Sequence, residues 1–301
     1  MKDLLNYYYY IVTDKINMIN KNYYFYYQNN YFCLYKYSNN LQEVNLLYNL
    51  NTYMLYNNYK VNKIIINKDG NILSLYRGNY YILILTNNDK DLICINDIIR
   101  FNQRVVNLNI LNRTNWLLLW SMKVDNIEYS VKHLMHKHKL LYNSIYYYIG
   151  LTENAISYLK LVDLRNNNIS ICHKRVKSND KSIDFYNPLN LIIVYRIRAL
   201  AEYFKSCFFD LKMDIKEIIN YLKKIKMSDV DYIYFYIRML FPSYYFDLYD
   251  LILLGVEKEE KILDLTKYQN DYEYLLYEIY LVIKNHVNII GIDWINKKFA
   301  I

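Results

Sequence analysis

Residues 169–203 constrain the fold more than any other part of this chain. They open on a short apolar run ending in Cys172-His173 and turn polar and charged from Lys174 to Lys181. After Asn187-Pro188 comes an apolar run at 189–194, interrupted only by Asn190, then the start of a helix at Arg198-Ala-Leu-Ala-Glu202. A short apolar run bounded by turn residues predicts a fully buried strand. The order is therefore strand, polar loop, buried strand, helix.

Ahead of this stretch the periods are mixed. Residues 2–10 suit a short helix or a strand. Residues 23–27 and 31–37 read as strands joined by a turn at Gln28-Asn29-Asn30. Leu41, Val44, Leu47, Tyr48, Leu50 and Leu55 recur at helical spacing, which predicts an amphipathic helix over 41–57. Strands at 61–66, 71–76 and 80–85 follow, with turns at Asp69-Gly70 and Gly78-Asn79. The polar break at 86–91 is the natural hinge, giving an N-terminal part at 1–88 and a mainly helical part at 89–301. In the second part helices are expected at 92–102, from Asn115 with Thr114 as cap, at 146–160 with Thr152 as N-cap, and at 215–226. Ser228 caps a further helix, Pro242 opens another that Gly255 ends, and the last long one covers 268–288. The tail packs back through Trp294.

Composition limits the functional classes. A chain of 301 residues can bury a core without staples. It holds 39 Tyr but only 5 Gly and 2 Pro, a bias toward residues that AT-rich codons encode, so mutational bias accounts for the Tyr excess. The net charge of +8 would suit an anionic partner, but Lys is spread along the chain as on solvated faces. No basic-aromatic motif of a nucleic-acid module is present, so nucleic acid is not an expected partner. Cys33, Cys94, Cys172 and Cys207 share no metal or redox spacing, and free thiols fit a reducing cytosol. Asp3 and the lack of a small-residue cleavage site argue against a signal peptide, and no apolar window is long enough to predict a membrane span. The expected location is the cytosol, or a surface assembled from the cytosolic side.

The central stretch resembles the catalytic centre of small-molecule kinases of the aminoglycoside, choline and homoserine kinase type. It resembles more closely the kinase-like spore-coat proteins of endospore-forming bacteria. The run Gly150-Leu-Thr-Glu-Asn-Ala-Ile156 and the run Arg238-Met-Leu-Phe-Pro242 strengthen that likeness. It implies an α+β, protein-kinase-like, two-lobed fold with a small mixed α/β N-terminal lobe and a large mainly helical C-terminal lobe. In active members the loop reads His-Gly-Asp with an Asn five residues on. The loop Asp is the base, and an Asp on the later strand end holds magnesium. Here His173 is kept, Arg175 stands at the base position, Val194 at the metal position, and Ala199 where an Asp usually opens the Leu-Ala-Glu helix. The same template makes Lys36 the phosphate-touching strand lysine and Glu43 its helix partner; their alternative reading is an ordinary surface pair. No glycine precedes Gly70 to bring backbone close over phosphates.

The resemblance thus implies a catalytically inactive, pseudokinase-type protein with a structural or interaction role in the spore coat or sporulation. No catalytic residue, cofactor or metal is expected, and other coat proteins are the expected partners. The alternative is an ATP-dependent small-molecule phosphotransferase whose metal ligands have moved to Asp180 or Asp184. Lys174, Arg175, Lys177 and Lys181, joined by Arg196 and Arg198, could hold an anion or an acidic partner; pairing of Glu202 with Arg198 one turn away would neutralise part of that charge. His133, His136 and His138 read as a solvated basic helix rather than a zinc site. Cys172 and His173, as strand neighbours, point to opposite faces and cannot form a nucleophile–base pair. His173 is expected to brace the loop.

Overall fold

The computed structural model describes residues 1–38, 40–86, 91–102, 111–162 and 169–300. The N-terminal part runs α1 (Lys2–Tyr9), β1 (Asn17–Ile19), β2 (Asn22–Tyr27), β3 (Asn30–Tyr37), α2 (Glu43–Tyr56), β4 (Lys63–Ile65), β5 (Ser74–Tyr76) and β6 (Asn79–Thr86). Its antiparallel sheet has the order β1-β2-β3-β6-β4, and β5 pairs with β6 beyond the end of β4.

Three two-residue hairpins build this sheet with little glycine. The loop residues Asn20-Lys21, Gln28-Asn29 and Arg77-Gly78 all have positive φ, as the turn that matches strand twist requires. Only one of the six is Gly; Asn at two of the others tolerates the left-handed region through its short polar side chain.

The alternation along β3 divides two cores. Phe32 and Leu34 pack with Leu4 and Leu5 of α1, whereas Cys33, Tyr35 and Tyr37 pack with Val44 of α2. Successive side chains point to opposite faces, so Lys36 belongs to the α1 side, where it is exposed.

The second part runs α3 (Ile95–Asn102), α4 (Trp116–Lys137), α5 (Lys139–Leu161), β7 (Ile169–His173), α6 (Ser182–Phe185), β8 (Leu191–Tyr195) and α7 (Ile197–Phe209). Then come α8 (Ile215–Lys224), α9 (Asp229–Leu240), α10 (Ser243–Leu253), α11 (Lys261–Thr266), α12 (Gln269–Ile283) and α13 (Asp293–Phe299). β7 and β8 form an antiparallel ribbon with His173 opposite Leu191, and every residue of β8 is buried. The expected strand–loop–strand–helix unit is therefore present. Ser228 caps α9 through the Asp231 N–H, and Trp294 lies 6.0 Å from the Tyr147 ring.

Several local expectations need correction. Thr152 sits inside α5 and bonds back to the Tyr148 carbonyl at 2.8 Å, so it caps nothing; the helix already begins at Lys139. The cap of α4 is Asn115, not Thr114. The turn before β6 is Arg77-Gly78, one residue earlier than expected. β1 was not anticipated: its three residues are all exposed and carry no core-facing period. Most of the expected hinge, including the boundary at 88, lies outside the described residues. Among the described residues, no helix is long and apolar enough to cross a membrane.

Candidate functional site

The loop after β7 is held from below by His173. Its Nε2 lies 2.6 Å from the Phe185 carbonyl oxygen, and its ring packs between Phe101 at 4.4 Å and Phe185 at 4.1 Å. Cys172, on the opposite face, buries its sulfur 3.6 Å from Asn102 Oδ1, and burial pushes the thiol up to about 12. The two neighbours thus look apart.

Arg175, expected from the resemblance at the base position, donates from Nε to Asp247 Oδ2 at 2.8 Å and from its terminal nitrogen to the other carboxylate oxygen. Val194 is fully buried within β8, opposite Ser170. Ala199 is fully buried in the first turn of α7. None of these side chains can ligate a cation or accept a proton.

Glu43 does not pair with Lys36. It reaches across to the second part of the chain, to Arg113 at 3.1 Å and Lys174 at 3.6 Å. Lys36 is turned to the other side of the sheet by strand alternation. On the α2 side the sheet carries Tyr35 and Cys33, and Ile183 and Leu189 from the loop side pack against that cluster. Burial pushes the Cys33 thiol up to about 12 and the Tyr35 hydroxyl far above its ordinary value. The connection between the two parts is tightened further by Asn62, whose side chain donates to the Ile183 carbonyl at 3.0 Å and whose N–H donates to Tyr186 at 2.9 Å.

Beside the loop lies an open groove of about 490 Å³. Lys174, Arg175 and Arg198 line it as the sequence suggested, but its other cations are Arg113 and Arg238. Lys177 and Lys181 are exposed elsewhere, and Arg196 turns to Asp231, with Nε 2.9 Å from Oδ2. Arg198 is buried and donates to the carbonyls of His173 and, at 2.6 Å, Lys174. Burial, with Arg238 close by, brings its pKa down to about 9. Its expected partner Glu202 instead accepts from Arg238 Nε at 2.8 Å and lies 3.6 Å from Lys205. Burial alone would raise the Glu202 carboxyl, but Arg238 and Lys205 outweigh it and hold the group well below the usual range.

Asp180 spends one carboxylate oxygen on the Lys177 N–H at 2.8 Å, and Asp184 is exposed on α6. His133 and His136 are exposed, while His138 lies 3.9 Å from Glu259. Among the described residues, no group of three or more His, Cys, Asp or Glu is arranged to hold a metal ion. The residues that sequence reasoning missed are Arg113 and Asp247; each meets its partner 70 or more positions away, and no local spacing announces that.

The fold resembles solved small-molecule kinases. An aminoglycoside phosphotransferase from Alicyclobacillus acidocaldarius superposes with a TM-score of 0.66 at 7% identity, covering 90% of this chain and 93% of that one. Spectinomycin phosphotransferase, in complex with ADP and spectinomycin, gives 0.59 at 11% identity over 93% and 97%. Choline kinase LicA from Streptococcus pneumoniae gives 0.52 at 10% identity over 93% and 97%. At such identities the likeness shows the fold alone, a kinase-like α+β architecture with an antiparallel N-terminal sheet and a helical C-terminal part. In sequence, the chain is 27% identical over 163 residues to the endospore coat-associated protein YutH of Bacillus subtilis, a match that spans only about half of each chain, 48% of both. The family described as "Spore coat putative kinase YutH" matches residues 2–279. Covering nearly the whole fold and every residue of the groove, that match makes this chain a member of the spore coat YutH family.

Proposed function

We propose that this chain is a catalytically inactive kinase-like protein that serves the spore coat as a structural or interaction component. The observation that carries this reading is the state of the loop base position: Arg175 occupies it and is locked to Asp247. A guanidinium cannot accept the proton of an acceptor hydroxyl. Losing one member of a cooperative catalytic unit costs roughly 10⁴-fold or more, and Val194 leaves the metal position without a ligand as well. The apolar Tyr35 and Cys33 face supports the same reading, since phosphates gain nothing there. In this reading Lys36 and Glu43 are vestigial: Glu43 latches the two parts together and Lys36 is a surface residue. The partners are other coat proteins, with an anion held at Lys174, Arg175 and Arg198, and the place of action is the spore surface.

The test is thermal unfolding with and without ATP and magnesium, alongside ATP turnover. No shift and no turnover are expected. A stabilisation of about 2.7 kcal/mol, which 100 times the dissociation constant produces, would contradict the proposal. The alternative phosphotransferase has one observation in its favour: Asp180 stands five residues beyond Arg175, at the spacing of the loop Asn in active members. Turnover abolished by Asp180→Ala or Asp184→Ala would establish that alternative.

A further inference from the structure

We propose that the groove beside the β7–α6 loop binds a small dianion with a flat apolar body, an aryl phosphate or an aryl dicarboxylate, whose charge sits on Arg198 and Lys174. This rests on the reading above, that the site binds rather than reacts, and it names the class of ligand.

Charge comes first. Five cations line the groove: Arg113, Lys174, Arg175, Arg198 and Arg238. Three carboxylates meet them. Glu43 is shared between Arg113 and Lys174, Asp247 holds Arg175, and Glu202 holds Arg238 while also facing Lys205. Five against three leaves two positive charges in surplus. The least compensated is Arg198: among the described residues its guanidinium bonds to two backbone carbonyls and has no carboxylate within salt-bridge distance. Carbonyl dipoles hold the guanidinium in place without cancelling its charge. In a cleft with low-dielectric walls that surplus focuses outward and attracts an anion.

The second observation is the aromatic wall, which borders Arg238. Trp116, Trp120 and Phe241 line it, stacked in sequence with ring centroids 5.3 and 4.3 Å apart, and Ile192 adds an aliphatic surface. A bare inorganic anion would use none of this wall. These rings and Ile192 are already nearly buried, so a ligand with an apolar body would pack against the edges they leave at the groove while its charged end meets the cations. The volume of about 490 Å³ suits a small molecule. An amine-rich ligand would meet the two surplus charges and be rejected. The rim is open, with the side chains of Arg113 and Arg175 about half exposed at 52% and 49%.

Two of the three tryptophans line the groove, so intrinsic fluorescence reports on it. The intact chain is titrated with phenyl phosphate, phthalate, inorganic phosphate, benzylamine and an acidic oligopeptide. We expect saturable quenching by phenyl phosphate or phthalate, weakened by salt, and at least about tenfold tighter than inorganic phosphate, as one buried ring would give. Arg198→Gln is expected to weaken it by about tenfold or more, the worth of a charge-assisted hydrogen bond. Arg113→Gln, at the exposed rim, is expected to cost about threefold and keeps the test open should Arg198→Gln fail to fold. The assignment is overturned by an absence of saturable quenching, by equal response to benzylamine or inorganic phosphate, or by tighter binding of the acidic oligopeptide. ATP turnover with dianion binding intact would sink the inactive reading and leave the ligand class standing; no binding and no turnover would do the reverse.

Discussion

Replacing Glu202 with Gln tests whether the centre of the C-terminal part is held by one buried carboxylate. Glu202 is only 2% exposed and accepts hydrogen bonds from Arg238 at 2.8 Å and from the Ser243 hydroxyl at 3.1 Å. Arg238 is itself enclosed by Trp116, Trp120 and Phe241, within 5.1 to 5.6 Å of each ring. The substitution keeps the shape and removes the charge, so Arg238 and Lys205 face each other without a counter-ion. Removing one partner of a buried pair costs about 3–5 kcal/mol. Lys205 can escape part of that cost. Burial already pushes its pKa down to about 7 against the opposing pull of Glu202, so without the carboxylate it sheds its proton at neutral pH. Arg238 has no such exit, which puts the loss near the lower end, about 3 kcal/mol. For a chain of this size that is a fall in Tm of roughly 6–12 °C by circular dichroism. Because the folded-state carboxyl is held below its ordinary 4.5, its contribution is present above that pH and is lost as pH falls further. The gap between parent and variant should therefore narrow in acid. A second substitution, Arg238→Met, should recover much of the loss by removing the stranded charge. A Glu202→Gln variant melting within about 2 °C of the parent, with a gap independent of pH, would refute the picture of a low-dielectric ion cluster.

Two further outcomes follow from the same geometry. Lys205 has a folded pKa near 7 and an ordinary value of 10.5, so between those pH values the unfolded chain binds more protons and stability rises with pH; Lys205→Met should flatten that alkaline rise in Tm. His173→Ala should cost about 3 kcal/mol in urea unfolding, since it removes both the contact to the Phe185 carbonyl and the ring between Phe101 and Phe185, whereas His173→Phe should cost only about 1 kcal/mol because it keeps the ring.

Much of the backbone was legible because local patterns decide it. The hairpin at Gln28-Asn29, the buried β8 and the capped start of α9 each rest on neighbours in sequence. The face assignment of Lys36 did not follow, for a reason intrinsic to strands. β3 is apolar on both sides, with Phe32 and Leu34 toward α1 and Cys33 and Tyr35 toward α2, so the sequence carries no in–out alternation to fix the phase. A shift of one residue moves a side chain to the other face, and Lys36 falls on the wrong one. Thr152 misled in a similar way: a Thr that bonds back one turn within a helix is indistinguishable by spacing from a Thr that caps one.

The site was only half legible because its charges are matched across the fold rather than along the helix. Spacing pairs Arg198 with Glu202, and on an isolated helix that pairing would hold. In the folded chain Arg198 sits at the first turn of α7, where its side chain reaches past the helix start to the carbonyls that end β7. Those carbonyls give it a site that a distant carboxylate would otherwise have to supply. Glu202 is thereby released to Arg238, which α9 brings against α7 from 36 positions away. The consequence runs from topology to chemistry. Because backbone dipoles, and not a carboxylate, hold Arg198, its positive charge is left without a counter-ion beside the groove, and that uncancelled charge is what the proposed dianion would meet.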